Sequence, residues 1–411
     1  MYDLLAGLTV VEGASFIAGP SCALHLQQLG ARVIRFDMIG GGPDFVRWPL
    51  APNGSSLYWE GLNKGKQSVA IDLSRPEGRE LAVAIITAAG PDRGLFVTNY
   101  PVKGFLSHDR LSQRRHDLIT LRVMGWPDGR NAVDYTVNAA VGVPFMTGPG
   151  DLPFDTPVNS VLPAWDIATG AYGAFAMMAA ERRRRATGQG GEIKIALSDV
   201  AIGMLGNMGQ IAEVLMSGDR LRSGNALFGA FGHDFQTRDG KRLMIVAITG
   251  RQWSGLIDAL GLEEQVKALE VTLDVDFSKD EGERYQHFTA LLPLFLHAIA
   301  RYSLDELRPV LDGNGVCWEQ YNALGNAIAT DPRLVQDNEI FALAEGPSGE
   351  QYPMAGALAR VTGDVRKPVA PAPWLGENTE EVLADYLALP EQEIARLFDE
   401  GIVASANVKR T

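Results

Sequence analysis

The stretch LTVVEGASFIAGPSCALHLQQLGARVIRFD, residues 8–37, decides the fold. Leu8-Thr9-Val10-Val11-Glu12 is an apolar run short enough for one buried strand. Ala18-Gly19-Pro20 turns the chain, and Ser21 to Leu29 carries helical spacing. Ala31-Arg32-Val33-Ile34-Arg35-Phe36-Asp37 is a second strand. A strand–helix–strand unit of about thirty residues is the repeating piece of a doubly wound sheet. Further strands are expected at Ser68–Leu73, Gly94–Asn99 and Leu118–Val123, with a helix from Pro76 to Ala89 opened by its proline. The N-terminal part therefore reads as α/β with mostly parallel strands. The first strand–helix junction, Gly13 to Gly19, lacks the G-x-G-x-x-G spacing of nicotinamide sites. Gly40-Gly41-Gly42 follows the second strand and reads as a flexible turn, or as one whose backbone could approach a phosphate.

At 411 residues and 46% hydrophobic content the chain exceeds one ordinary core, so two domains are expected. The formal charge is −13 and the pI about 5.0. No basic tract suggests nucleic acid; the densest cluster, Arg182 to Arg185, suits a helix C-terminus, where cations offset the macrodipole. The two cysteines, Cys22 and Cys317, form neither a disulfide framework nor a zinc pattern and suit a reducing cytosol. Cys22 reads as a small packing residue. No His-rich or Cys-rich metal set is present. There is no signal pattern and no run of membrane-spanning length, so a soluble, cytoplasmic protein with no membrane partner is expected.

The texture changes near Asn225. Residues 234–248 look like a hairpin turned at Asp239-Gly240, followed by helices at Gln252–Leu260, Arg284–Ile299 and Ser303–Asp312: a smaller α+β domain. Beyond Gln351 lies a proline-bearing segment, then Asn378-Thr379-Glu380-Glu381, which resembles a helix start with Asn378 capping and Glu381 three positions on.

One carboxylate stands apart. Asp166 lies in Leu162-Pro163-Ala164-Trp165-Asp166-Ile167, ahead of the small-residue stretch Gly170-Ala171-Tyr172-Gly173-Ala174. Asp is favoured at a helix N-cap, and Asp166 fits that role. A carboxylate shielded between an apolar run and a tightly packed helix is also destabilised in its charged form, which makes it a better nucleophile. The two readings are compatible.

Four segments in order carry a likeness. They are Leu29–Arg35, Leu62–Leu73 (LNKGKQSVAIDL), Asp166 with its helix and the Thr187-Gly188-Gln189-Gly190 turn, and Leu375–Leu383 (LGENTEEVL). Together, and nearly end to end, they resemble the family III CoA-transferases. That resemblance implies a Rossmann-like large domain built from the N- and C-terminal parts of the chain, a smaller domain between them, and two ring-like subunits interlocked as a homodimer. Carried onto this chain, it places the large domain at 1–200 and 351–411, the small domain at 225–320, and linkers at 201–224 and 321–350.

The resemblance also implies an acyl-CoA substrate, with no cofactor beyond the CoA it carries. Asp166 matches the family's nucleophile, which forms an acyl anhydride and then an aspartyl-CoA thioester. CoA contacts fall on Phe16, Ile17, Leu73, Asn99, Tyr100 and Lys103, with Arg47 in a matching stretch and Tyr135 on the acyl pocket. Met38 stands where the family can have a cation near the end of the second strand; Arg35, Arg47 or Lys64 would have to compensate. Gly229, Gly232 and Gly40 to Gly42 are candidates to close over the site. The segments Arg35–Gly42, Val133–Asn138, Pro144–Pro149, Leu162–Asp166 and Phe228–Phe235 resemble the members that move CoA within one molecule, between the two carboxyls of mesaconyl-CoA. A family racemase would need a histidine near Asn131–Tyr135, and none is there. An intermolecular transferase, and a non-catalytic acyl-CoA-binding protein, stay open as alternatives.

Overall fold

In the computed structural model, which describes residues 1–406, the opening stretch forms strand β1 (Thr9–Gly13), helix α1 (Ala18–Gln28) and strand β2 (Arg32–Met38). There follow α2 (Leu57–Asn63), β3 (Gln67–Ile71), α3 (Pro76–Thr87), β4 (Leu95–Thr98), α4 (His108–Arg114), β5 (Ile119–Met124), α5 (Asp134–Ala140), a long helix Ala164–Thr187 and β6 (Gly191–Ala196). Three strands of the second unit are β7 (Phe231–Gln236), β8 (Arg242–Ala247) and β9 (Cys317–Gln320). The chain then adds β10 (Phe341–Glu345), β11 (Gln351–Ala355) and β12 (Val403–Ala404).

The chain divides into two compact units. The first comprises Met1–Val141, Val161–Ala212 and Pro332–Thr411, its last five residues lying outside the described part. Its seven-stranded sheet runs β12-β3-β2-β1-β4-β5-β6. Every pairing from β3 to β6 is parallel, and β12 adds an antiparallel edge. This is α/β architecture with the strand order of a doubly wound sheet. The order reverses beside β1, so a crevice is expected between the carboxyl ends of β1 and β4.

Alternation along the strands sorts two cores. Val10, Val33, Leu95, Val97, Ile119 and Leu121 face α1 and the Ala164–Thr187 helix. Val11, Ile34, Phe36, Val69, Ile71 and Phe96 face α3 and the C-terminal helix Glu391–Asp399. Period-two side-chain alternation with helices on both faces explains why these strands read as unbroken apolar runs. Cys22 packs in the first core, and burial pushes its thiol up to about 12.

The C-terminal return is held by specific bonds. Asn378 does not cap a helix through its side chain. Its oxygen instead accepts from Ser68 N–H on β3 at 3.0 Å, and its amide donates to Glu381 at 3.0 Å. The capping box expected there is thus absent: the oxygen that would close it is used by the sheet. Thr379 donates to the Ala404 carbonyl and accepts from Ala70 N–H. Gly376 has φ +73°, and a Cβ there would sit 2.7 Å from the Ala404 carbonyl, so the close docking requires glycine.

The second unit comprises Gly142–Ser160 and Glu213–Asp331. Segment 142–160, expected in the large domain, clusters here because Arg222 donates to the carbonyls of Pro144, Pro153 and Thr156. The β7–β8 hairpin turns through Asp239-Gly240 as expected, and β9 completes an antiparallel sheet. The expected helix at 284–299 is broken at His287 into Glu281–Gln286 and Phe288–Ile299. Gly232 lies within β7 rather than in a loop, and Gly229 precedes the strand.

Beneath the first unit's sheet end lies a buried ionic network. Arg35 donates to Glu12 (2.9 Å), to both oxygens of Asp37 (2.8 and 2.9 Å) and to Asp44 (3.2 Å). Lys66 donates to Glu12 (2.7 Å), the Pro20 carbonyl (2.9 Å) and Asn63 (3.0 Å). Arg35→Met would strand three buried carboxylates with one cation fewer. We expect a loss of about 3–5 kcal/mol, read as a lower urea midpoint; an unchanged midpoint would show the network to be dispensable.

Candidate active site

Asp166 is the third residue of the Ala164–Thr187 helix, not its cap; Pro163 occupies the cap position and makes no side-chain bond. The cap comes from far along the sequence. Asp134, 3% exposed at the start of α5, accepts from Trp165 N–H (2.7 Å) and Asp166 N–H (3.0 Å) through one oxygen. Asn138, one turn on, accepts from the Trp165 indole at 3.1 Å. The orphan N–H groups of the first turn are thus satisfied by a neighbouring helix. This frees the Asp166 carboxylate from the capping role that its position in the sequence suggested.

Helix α1 meets the Asp166 helix through small residues. A Cβ at Gly170 would fall 2.0 Å from Ser21 Oγ and 3.0 Å from the Ala18 carbonyl, and one at Gly173 would lie 3.4 Å from Cys22 Sγ. This close crossing brings the Ala18 N–H near enough to the Asp166 carboxylate to favour its charged form. The β1–α1 loop is fixed from two sides. Asn99 accepts from Ser15 N–H (3.1 Å) and donates to the Ser15 carbonyl (2.9 Å). Asp44 accepts from Phe16 N–H with both oxygens, at 2.8 and 2.9 Å. Phe16 is held at φ +69°, an uncommon conformation for a side chain of its size.

Burial first, and the nearby charge of Asp134 second, raise the Asp166 carboxyl from 3.8 to about 6. The Ala18 N–H and the Arg47 guanidinium oppose them. Near neutral pH the group is a carboxylate held at a cost, in a setting that favours attack or acylation. No group of metal ligands lies among the described residues.

A cavity of about 1000 Å³ opens at the carboxyl ends of β1, β4, β5 and β6. Its wall brings together Asp166, Phe16, Asn99, Tyr100 and Lys103, five of the residues singled out in the sequence. Ile17, Arg47, Leu73 and Tyr135 are not on it. Leu73 is packed in the core against α3, so a CoA contact at its side chain is not what this cavity offers. Tyr135 is exposed, with a long 3.4 Å bond to the Val161 carbonyl. Arg47 stands 5.7 Å over the Phe16 ring and 5.1 Å over the Tyr58 ring.

Of the cations offered in place of Met38, Arg35 is excluded because the three carboxylates of the network enclose it. Lys64 is 8% exposed, and desolvation pushes its ammonium down to about 8. Lys103, Arg130 and Lys194 do line the cavity. The last two were missed in the sequence. Their signal was positional: Arg130 follows β5, and Lys194 takes a polar position in the alternation of β6, both near the ligand-binding edge of a doubly wound sheet. Arg122, also lining, donates to the carbonyls of Tyr100, Pro101 and Leu106 and so holds the loop that carries Lys103.

The model of CoA-transferase family III matches residues 5–379. A 2-methylfumaryl-CoA isomerase of Chloroflexus aurantiacus is 48% identical over 98% of each chain. A succinyl-CoA:mesaconate CoA-transferase of Haloarcula hispanica is 25% identical, over 92% of this chain and 95% of that protein. Among solved structures, a CaiB/BaiF family protein from Brucella suis superposes with TM-score 0.75 at 25% identity, covering 94% of this chain and all of that one. The chain belongs to CoA-transferase family III.

The raised acidity constant has a consequence for stability. The folded Asp166 keeps its proton up to about pH 6, whereas the unfolded group releases it near 3.8. Between those values the folded state binds more protons, so this group's contribution favours folding below 3.8 and is lost as pH rises through 6. Asp166→Asn should therefore be more stable than the native chain at pH 7, by up to about 3 kcal/mol, with the gain vanishing below pH 4. Thermal melts of both proteins across that range test it; equal melting at pH 7 would show that the carboxylate is not destabilised.

Proposed function

We propose that this family III CoA-transferase moves coenzyme A between the two carboxyl groups of one mesaconyl-CoA molecule. The observation that carries the reading is the Asp166 carboxylate, raised by burial and set on a cavity wall against the Ala18 N–H. The 48% identity to the Chloroflexus isomerase supports mesaconyl-CoA as the substrate in this reading.

The chemistry follows from the carboxylate. Asp166 attacks the thioester carbonyl at C1; a C–O bond forms, the C–S bond breaks and the CoA thiolate leaves. The thiolate attacks the aspartyl carbonyl of this anhydride, and mesaconate departs as a free dicarboxylate. Its C4 carboxylate attacks the aspartyl-CoA, expelling the thiolate again. The thiolate then takes the C4 carbonyl of the second anhydride and restores Asp166. Each exchange replaces one difficult transfer by two with activated leaving groups. The Ala18 N–H and the N-terminal end of α1 offset the negative charge at Asp166. Lys103, Arg130 and Lys194 suit the CoA phosphates.

Intermolecular transfer would use the same aspartate and differ in whether free acid enters. Mesaconyl-C1-CoA incubated with isotopically labelled free mesaconate separates the two. Isomer formed without label is expected; isomer carrying label would replace the intramolecular reading by an intermolecular one. Asp166→Ala should keep CoA binding and lose isomerisation by at least about a thousandfold, as for removal of other covalent nucleophiles. Full turnover in that variant would remove Asp166 from the mechanism.

We also infer a homodimer. The Ala164–Thr187 helix leaves Tyr172 and Phe175 exposed, their rings 6.0 Å apart, and the helix Leu197–Asn207 leaves Ile202 exposed, with Met208 just beyond it. Such a set of apolar side chains is ordinarily covered. No single helix among the described residues is long and apolar enough to cross a membrane. Sedimentation should give a dimer that resists dilution, and a stable, active monomer would contradict it.

A further inference from the structure

We propose that Arg47 is the anchor for the substrate's free carboxylate, the one that does not carry CoA, and so selects dicarboxylyl-CoA thioesters over monocarboxylyl ones. This deepens the proposed function and rests on it for the identity of the acid. The argument begins with an accounting of cations around Asp166. Arg35 and Lys66 are enclosed by Glu12, Asp37 and Asp44. Lys103, Arg130 and Lys194 lie on the segments after β4 and β5 and within β6. Arg130 and Lys194 are paired with Asp128 and Glu192, and Lys103 lies on the loop after β4, whereas Arg47 lies over the ring of Phe16. The Arg47 side chain makes no ion pair and no hydrogen bond among the described residues, yet its charge acts on Asp166.

Its position is built rather than incidental. The Arg47 N–H donates to the Asp44 carbonyl at 3.3 Å, and the Arg47 carbonyl accepts from Ser56 Oγ at 2.5 Å. The guanidinium lies over the faces of Phe16 and Tyr58, which limits its rotamers and leaves its donor edge unused. Phe16 is itself on the cavity wall with Asp166. Tyr58 adds a second unfilled group: its hydroxyl is buried without a hydrogen-bond partner, in range of the charges of Asp44, Arg47 and Asp166. An unpaired fork of N–H donors over the ring of a tyrosine whose hydroxyl is orphaned, with its charge reaching Asp166, matches the planar geometry of a carboxylate.

The same anchor serves both halves of the exchange. While C1 reacts at Asp166, Arg47 holds the C4 carboxylate. Once CoA has moved to Asp166, Arg47 can take the C1 carboxylate and release C4 to attack. The acid then pivots between two fixed groups and does not need to leave.

The test measures binding in the Asp166→Ala protein, in which the proposed mechanism leaves no turnover. Affinities are compared for mesaconyl-C1-CoA, for tiglyl-CoA (a methyl in place of the second carboxylate) and for CoA itself, with Arg47 intact, Arg47→Lys and Arg47→Met. Arg47→Met should weaken mesaconyl-CoA by about 10- to 100-fold and change tiglyl-CoA and CoA by no more than about threefold, as for loss of one charge-assisted bidentate contact. Arg47→Lys should fall between. A parallel loss for all three ligands would make Arg47 a CoA ligand and overturn the proposal, as would no loss for any. Isomerisation by the unsubstituted enzyme is assayed alongside. If mesaconyl-CoA is not isomerised but the Arg47-dependent preference persists, the proposed reaction fails and the carboxylate site stands.

Discussion

The Arg35 guanidinium, closed in by Glu12, Asp37 and Asp44, is the constraint on which the site depends. Its partners come from β1, from β2 and from the turn after β2. Lys66 carries the network to Pro20 in the first turn of α1. Buried charges are expensive, and no single member can be withdrawn without leaving another unpaired. That makes the local geometry all-or-none. With Arg35 in place, Asp44 is oriented to take the Phe16 N–H, and Phe16 is held in its uncommon backbone conformation. The chain then enters α1 with the Ala18 N–H facing Asp166.

Around Asp166 the balance is between burial and repulsion on one side and oriented dipoles and a guanidinium on the other. Asp134 serves two purposes. It completes the hydrogen bonds of the helix start, and its charge keeps the neighbouring carboxylate from being too comfortable. The close crossing at Gly170 and Gly173 makes both effects possible, since bulkier residues would hold α1 away. Stability at this point is lowered by a carboxylate whose pKa is displaced by its surroundings.

Some of this was legible in residues 8–37 and 166. The alternating α/β pattern showed the parallel sheet, and the local apolar runs showed its strands. The likeness to CoA-transferases, carried by short motifs in order, agrees with the family match over residues 5–379. Other readings failed for identifiable reasons. Asp166 looked like a cap because its own segment contains no better one; the true cap, Asp134, lies 32 residues upstream. Asn378 looked like a cap because the competing acceptor need, at Ser68, is more than three hundred residues away. Arg35 looked available for phosphate because a strand residue's charge is visible in sequence while its enclosure is not.

The sequence by itself determined the periodicities, and through them the sheet, its helices and the identity of the acidic residue to watch. Those properties are local: they depend on side-chain type and spacing within a few residues. Only the tertiary structure decided which charges are spent on each other and which stay unpaired. Arg35 and Arg47 are twelve residues apart and chemically alike, yet one is enclosed by carboxylates and the other stacks on two rings with its donors unused. The difference arises because ion pairing and desolvation depend on distances between segments, and those distances exist only once the sheet has closed around them.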